Sequence, residues 1–255
     1  MTTLALDISN MFKLDFSGEV IMSLIVMLII CILSVIIFFV FRKKDPTKPD
    51  HGFTMVVETA VEKIQNFVVE TMGRKYEGFT GYVLTLALYI FLCFFLGITG
   101  LPNALISLQV PLSIGLCTFV MIHAVAIHKN KWKYYKRFTS PLAVFLPINL
   151  ISMWAPLLSL TLRLFGNALS GYIIMSIMYY YLGALSDVIF GGFVAQGLSS
   201  IWIAPIITPW LHMYFDLFTG AIQTLVFIVL TMIWISQEDP DESIEENVTL
   251  KEELA

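Results

Sequence analysis

A series of apolar runs, each long enough to cross a lipid bilayer, constrains this chain more than any other feature. The first run, 20–41, contains no charged residue and ends against Arg42, Lys43 and Lys44. A helix needs about 20 apolar residues to cross roughly 30 Å of hydrocarbon. Because 58% of all residues are hydrophobic and only 13% are charged, lipid must solvate much of the chain. We therefore predict an integral membrane protein with several spans.

Hydrophobic patterning predicts an all-α membrane protein with five membrane-crossing helices, the last two long and strongly tilted, and one amphipathic surface helix. The order along the chain is an external amino-terminal segment (1–19), a first transmembrane helix (20–41), an amphipathic cytoplasmic surface helix (53–72), a transmembrane hairpin (81–127), a tilted helix pair (138–236) and an acidic cytoplasmic tail (237–255).

The predicted helix pair consists of two apolar segments, 141–182 and 193–236. As a helix, each segment would be about 60 Å long, twice the length that a perpendicular crossing needs. Each is either a broken pair of spans or one tilted helix. Four prolines permit a break, but no charged or glycine-rich turn divides the segments, and a bare apolar turn is a poor structure in lipid. We favour the tilted helices, joined by a connection at 183–197 that places Asp187 in water.

The basic residues predict the orientation. Of 15 lysines and arginines, 13 fall on one side if the amino terminus is outside and the number of crossings is odd. Basic residues concentrate in cytoplasmic loops. This pattern predicts an external amino terminus, and a cytoplasmic carboxyl terminus and surface helix.

Two charges stand out within the tilted pair. Between residues 138 and 237 the only formal charges are Arg163, Asp187 and Asp216. An arginine at mid-membrane costs at least about 2.5–3.5 kcal/mol, so Arg163 points to a function. Snorkelling is disfavoured because Arg163 lies far from either end of its apolar segment. A fixed ion pair between Arg163 and Asp216 stays open.

The polar neighbours of these charges form two helical stripes. One stripe contains Ser159, Arg163, Asn167 and Ser170; the other contains His212, Asp216, Thr219, Gly220 and Gln223. If the two helices run antiparallel, Arg163 lies near the level of Gln223, and Tyr172 near that of Asp216. Asp216 then occupies the outer half of the membrane.

The residues around Arg163 resemble a known protein family. The string 159–167, Ser-Leu-Thr-Leu-Arg-Leu-Phe-Gly-Asn, resembles the signature of the subunit a family of F-type ATP synthases; 147–151 and 220–227 also fit. The resemblance extends over most of the chain. It implies a stator with two offset aqueous half-channels, next to a ring of c subunits that each carry a mid-membrane carboxylate. The implied partners are the c-ring, the peripheral-stalk b subunits, the other ATP synthase subunits and the lipid bilayer.

The resemblance also implies residue roles. Arg163 matches the essential arginine, whose fixed charge would favour the ionised form of each passing ring carboxylate and stop protons from hopping directly between the half-channels. Asn167 and Gln223 match polar positions of the channel lining. We interpret Asp216 as the outer proton carrier, with His212 one turn away as the next candidate.

Some positions depart from the family pattern. Tyr172 stands where many bacterial relatives have a glutamate, and we expect the acid at Asp216 to replace it across the helix pair. Relatives often carry acids where this chain has Ser152 and Met153, and a loop acid where it has Ser107. On this inner side of the path Asn149, Ser152 and Ser159 can hold water but cannot titrate as acids do.

The two alternative function classes are a secondary transporter and an intramembrane enzyme. A secondary transporter is the leading alternative, although no second copy of the Arg163 region indicates an internal repeat. An intramembrane enzyme lacks support because no hydrolase, zinc-protease or phosphate-loop motif occurs. We expect a non-catalytic subunit without cofactor, metal or nucleic-acid partner. The sequence leaves H⁺ or Na⁺ open, and favours a bacterial cell membrane over the mitochondrial inner membrane.

Overall fold

The computed structural model describes residues 18–42, 52–99, 101–131, 146–190 and 202–238. Within them the chain is helical, with short 3₁₀ turns at Arg74–Phe79 and Ala104–Ile106. The helices are α1 (Gly18–Arg42), α2 (Gly52–Met72), α3 (Thr80–Gly97), α4 (Gln109–Asn130), α5 (Leu146–Phe190) and α6 (Ala204–Ser236). The predicted all-α class is confirmed.

Five of these helices are long and apolar enough to cross a membrane: α1, α3 with the turn before it, α4, α5 and α6. In lipid, a helix satisfies its backbone polar groups within one segment, which explains why each apolar run adopts this structure. The predicted number of crossings is confirmed.

Within the described residues, each long segment is one continuous helix and not a broken pair of spans. At 45 residues, α5 extends about 68 Å, more than twice the hydrocarbon thickness, so it must tilt or project from the membrane. Pro156 lies inside α5 without ending it. One boundary differs from the prediction: residues 183–190, expected to open the connection, continue the helix and carry Asp187 with them.

Two clusters of buried side chains hold the helices together. In one, Ile90 of α3, Leu164 of α5 and Phe227 of α6 are each fully buried, with Val26 of α1 beside them. Burying a side chain of this size from water is worth about 1.5–3 kcal/mol, but within lipid the gain comes from close packing instead.

The second cluster joins the end of α2 to the carboxyl-terminal end of α6. Val68 and Met72 of α2 pack with Met232 and Ile235 of α6. Beside them, Asn130 Nδ2 at the end of α4 donates a hydrogen bond over 2.8 Å to a backbone carbonyl just beyond α6. The surface helix, the end of α4 and the end of α6 therefore lie at the same end of the bundle.

Two glycines let neighbouring helices approach closely. A Cβ on Gly220 of α6 would lie 2.6 Å from Cβ of Phe94 in α3. A Cβ on Gly115 of α4 would collide with Oγ1 of Thr161 in α5. Small residues at such crossings are the usual device for packing helices in lipid.

Candidate functional site

Arg163 lies on the exposed face of α5. The opposite face packs into the bundle through Leu160 and Leu164, which are 1% and 0% exposed. Next to Arg163, Leu162 is 56% exposed. Arg163 Nη2 donates a hydrogen bond to Ser159 Oγ over 3.3 Å. Its guanidinium therefore lies at the surface of the chain, one helical turn from Ser159.

The possible ion pair between Arg163 and Asp216 is not formed in the described residues. The Asp216 carboxylate is engaged by His212 instead. Arg163 and Asp216 therefore have different partners, Ser159 for Arg163 and His212 for Asp216.

Asn167 and Gln223 join the two polar stripes. Asn167 Nδ2 donates to Gln223 Oε1 over 3.5 Å, a long and weak hydrogen bond. Gln223 is only 6% exposed, and its Nε2 has no hydrogen-bond partner among the described residues. The helices are antiparallel as expected, but Gln223 lies level with Asn167, one turn away from the predicted level of Arg163.

A cavity of about 600 Å³ opens at the end of the bundle opposite α2. Its lining includes Glu19 at the start of α1 and Gly97 at the end of α3. Tyr172 of α5 and Asp216 of α6 also face it, so the predicted neighbourhood of these two residues agrees with the structure. Several polar side chains from α5 and α6 converge in this cavity.

A chain of three hydrogen-bonded side chains lies in this cavity. His212 Nδ1 is 2.6 Å from Asp216 Oδ2, and His212 Nε2 is 2.9 Å from the hydroxyl of Tyr179. The side chains of His212 and Asp216 are 20% and 16% exposed. An ionised carboxylate only accepts hydrogen bonds, so in the pairing of an ionised Asp216 with a neutral His212, Nδ1 donates and Nε2 accepts from Tyr179.

The backbone of α6 is locally widened around Asp216. Residues Met213–Phe218 form a π-helix between two α-helical parts, and Thr219 Oγ1 donates to the carbonyl of Tyr214 over 3.1 Å. Such π segments change the direction of the side chains within a helix and are frequent at functional sites. On its other side, the Asp216 carboxylate lies against Gly97, where an added Cβ would be 3.5 Å from Cγ.

The structure thus places the sequence candidates in three groups. Ser159 contacts Arg163, Asn167 contacts Gln223, and Tyr172 shares the cavity with His212 and Asp216. Asn149 belongs to α5, but its side chain lies outside the described part.

Sequence reasoning missed Tyr179 and Glu19. Tyr179 follows Tyr172 by seven residues, the spacing of two helical turns, so it continues the same stripe of α5. Glu19 is the acid that immediately precedes the first apolar run. Both signals were present, but neither shows which residues of other helices lie nearby.

Comparisons with known proteins agree on one family. Residues 20–236 match the family described as "ATP synthase A chain". The chain is 29% identical over 217 residues to "ATP synthase subunit a" of Mycoplasma pneumoniae, covering 81% of this chain and 74% of that one. It is 32% identical over 211 residues to the protein of the same name from Mycoplasma genitalium, covering 76% and 71%. The protein of that name from a Sulfurihydrogenibium species is 28% identical over 223 residues, 86% of this chain and 95% of its own length.

Proposed function

Because the chain belongs to the ATP synthase A chain family, we propose that α5 and α6 carry the ion path of a rotary F-type ATP synthase. Membership gives the chain the proton-channel role of that complex, with other ATP synthase subunits as partners. Its bacterial relatives and apolar helices make it a multi-pass protein of a bacterial membrane.

The exposed position of Arg163 is the observation that carries the proposal. An arginine that faced lipid at this depth would cost at least about 2.5–3.5 kcal/mol. A neighbouring protein surface that presents a carboxylate removes most of this cost, since opposite charges attract strongly in a medium of low dielectric constant. The exposed face of α5 around Arg163 is the face we assign to the c-ring.

The charge of Arg163 then determines where a ring carboxylate ionises. As a ring carboxylate passes, the guanidinium favours its ionised form, so the carboxylate releases its proton on one side of Arg163 and binds another beyond it. An arginine keeps its proton at all working pH values, and therefore no proton crosses directly between the two half-channels. Rotation of the ring becomes the only route.

The cavity around Asp216 fits the outer half-channel. Asp216 can bind and release a proton, and Asn167 and Gln223 lie on the way from this cavity to Arg163. Counted along α5 from the level at which Asn167 meets Gln223, Asp216 is separated from Arg163 by about 16 Å. A carrier at this distance can deliver protons to the ring path without being neutralised by Arg163.

The remaining parts of the proposal follow the resemblance and the charges. The inner path passes Ser159 and Asn149, which hold water. The amino terminus is outside and the carboxyl terminus cytoplasmic, with α2 contacting the peripheral-stalk b subunits. Synthesis and hydrolysis of ATP take place in other chains, and the ring's own site selects H⁺ or Na⁺. A secondary transporter is the less supported class, since nothing in the described bundle duplicates the Arg163 region.

The test is coupled transport by the purified complex in vesicles. Arg163→Ala should abolish ATP-driven acidification while the ring still co-purifies. Arg163→Lys should fail nearly as badly, because an ammonium is more strongly hydrated and lacks the planar fork of guanidinium. Arg42→Ala removes an exposed arginine from the end of α1 and serves as the matched control. Full acidification by Arg163→Ala would contradict the proposed function.

A further inference from the structure

We propose that Tyr179 and His212 form a proton relay that loads Asp216 from the outer cavity. This inference rests on the proposed function and adds two residues, with assigned roles, to the path. It concerns how a proton reaches Asp216, and not how the ring turns.

The geometry of the three side chains supports a relay. Tyr179 and Asp216 occupy opposite nitrogens of one imidazole, at 2.9 Å and 2.6 Å. An imidazole that accepts a proton on one nitrogen and releases another from the second nitrogen moves charge without moving itself. All three residues line the same cavity, which gives water access to the Tyr179 end of the chain.

The position of Asp216 makes the imidazole its natural proton donor. Its side chain is 16% exposed, one oxygen contacts His212, and the carboxylate lies against Gly97. The Tyr179 hydroxyl contacts Nε2 of His212, on the side of the imidazole away from Asp216. A proton that enters the chain at Tyr179 therefore passes through His212 to reach Asp216.

Each proton released along the relay is accepted by the next group. A hydronium ion gives a proton to the Tyr179 oxygen, while Tyr179 passes its own hydroxyl proton to His212 Nε2. His212 releases its Nδ1 proton to the Asp216 carboxylate. The products are water, an unchanged tyrosine, a neutral histidine protonated on Nε2, and a neutral Asp216. After Asp216 has passed its proton inward, exchange with cavity water returns the histidine proton to Nδ1.

A purely structural role for His212 makes different predictions from a relay. If His212 only oriented Asp216, then a side chain that donates one hydrogen bond from the same place would replace it. Glutamine can donate to Asp216 but cannot accept one proton while releasing another. His212→Gln therefore separates the two roles.

The experiment measures passive, voltage-driven proton flow through vesicles that contain the whole complex with its ATPase head removed. We expect His212→Ala and His212→Gln each to slow the flow about tenfold or more. A positioned acid or base can contribute ~10²-fold, and the loss is smaller here because cavity water replaces part of the relay. Tyr179→Phe should slow it about threefold, since water can still protonate Nε2. The control is Tyr180→Phe, which alters the adjacent tyrosine, 75% exposed and outside the cavity lining, and should flow as wild type.

Added imidazole provides a second readout. A cavity of about 600 Å³ has room for it, so it should return the flow through His212→Ala to within about threefold of wild type. Wild-type flow in His212→Gln, or slow flow in His212→Ala that imidazole does not raise, would overturn the relay. If Arg163→Ala still abolishes coupling in that case, the proposed function stands. Should His212→Ala fail to assemble with the ring, His212→Gln and Tyr179→Phe decide the question.

Discussion

Asn167 and Gln223 meet between the levels of Arg163 and Asp216, where Asn167 Nδ2 donates to Gln223 Oε1 over 3.5 Å. This contact shows which residues of α5 and α6 lie at the same level. It also leaves Nε2 of Gln223 buried without a partner in the described residues. A buried amide that donates no hydrogen bond costs about 1–3 kcal/mol.

We predict that Gln223→Leu separates stability from transport. Leucine has a similar volume and removes the unpaired donor, so the thermal stability of the purified complex should stay equal or rise. Coupled proton transport should fall, because the polar contact between Asn167 and Gln223 is lost. Thermal unfolding in detergent and ATP-driven acidification measure the two effects. Loss of stability together with undiminished transport would contradict this account of Gln223.

Asp216→Asn should slow passive proton flow through vesicles stripped of the ATPase head. Asparagine keeps the size and can still accept a hydrogen bond from His212, but it does not titrate. Asp216→Glu should preserve part of the flow, since the cavity has room for one more methylene group. Asp187→Asn, which removes the acid near the end of α5 and outside the cavity lining, is the matched control. Wild-type flow in Asp216→Asn would move the outer carrier elsewhere, with His212 the next candidate.

Gly220→Ala should destabilise the bundle. The new Cβ would lie 2.6 Å from Cβ of Phe94, which is 3% exposed and cannot move aside freely. Overpacking of this kind costs about 1–3 kcal/mol. Gly81→Ala meets nothing within 4 Å and should be neutral or stabilising, which makes it the control in the same thermal unfolding assay. Equal unfolding temperatures for the two variants would show that α3 and α6 adjust without cost.

The proposed orientation predicts where water-soluble maleimide reacts. A cysteine at Glu62, exposed on α2, should be labelled only from the cytoplasmic side. A cysteine at Thr99, exposed at the other end of the bundle, should be labelled only from outside. Both belong in a background where Cys31 and Cys117, the exposed native cysteines, are serine. The reverse pattern would invert the topology.

The membrane architecture could be predicted because its causes are local. Apolar runs of sufficient length become helices in lipid, where each segment must satisfy its own backbone hydrogen bonds. The same reasoning favoured one continuous helix over a hairpin at α5. It misplaced the end of α5, because a helix can project beyond the hydrocarbon and no residue between Gly183 and Phe190 stops it.

The predicted register of α5 against α6 was wrong by one helical turn, because register depends on tertiary packing. The close approach of Gly220 to Phe94 places α6 against α3, and the π segment around Asp216 changes the direction of side chains within α6. Neither leaves a recognisable pattern in the sequence, since the first depends on a partner helix and the second on how its side chains pack.

The number of crossings, the isolation of Arg163 among apolar residues and the candidate acid Asp216 could all be predicted from the order of residues, because a charge in lipid is costly wherever it occurs. The contact of Tyr179 with His212, the contact of Gln223 with Asn167 and the position of Glu19 at the cavity of Asp216 became known from the packed helices alone. These contacts join residues far apart in the chain. Their geometry depends on how the helices pack, and close contacts such as those of Gly115 and Gly220 determine that packing. It does not depend on any local pattern in the sequence.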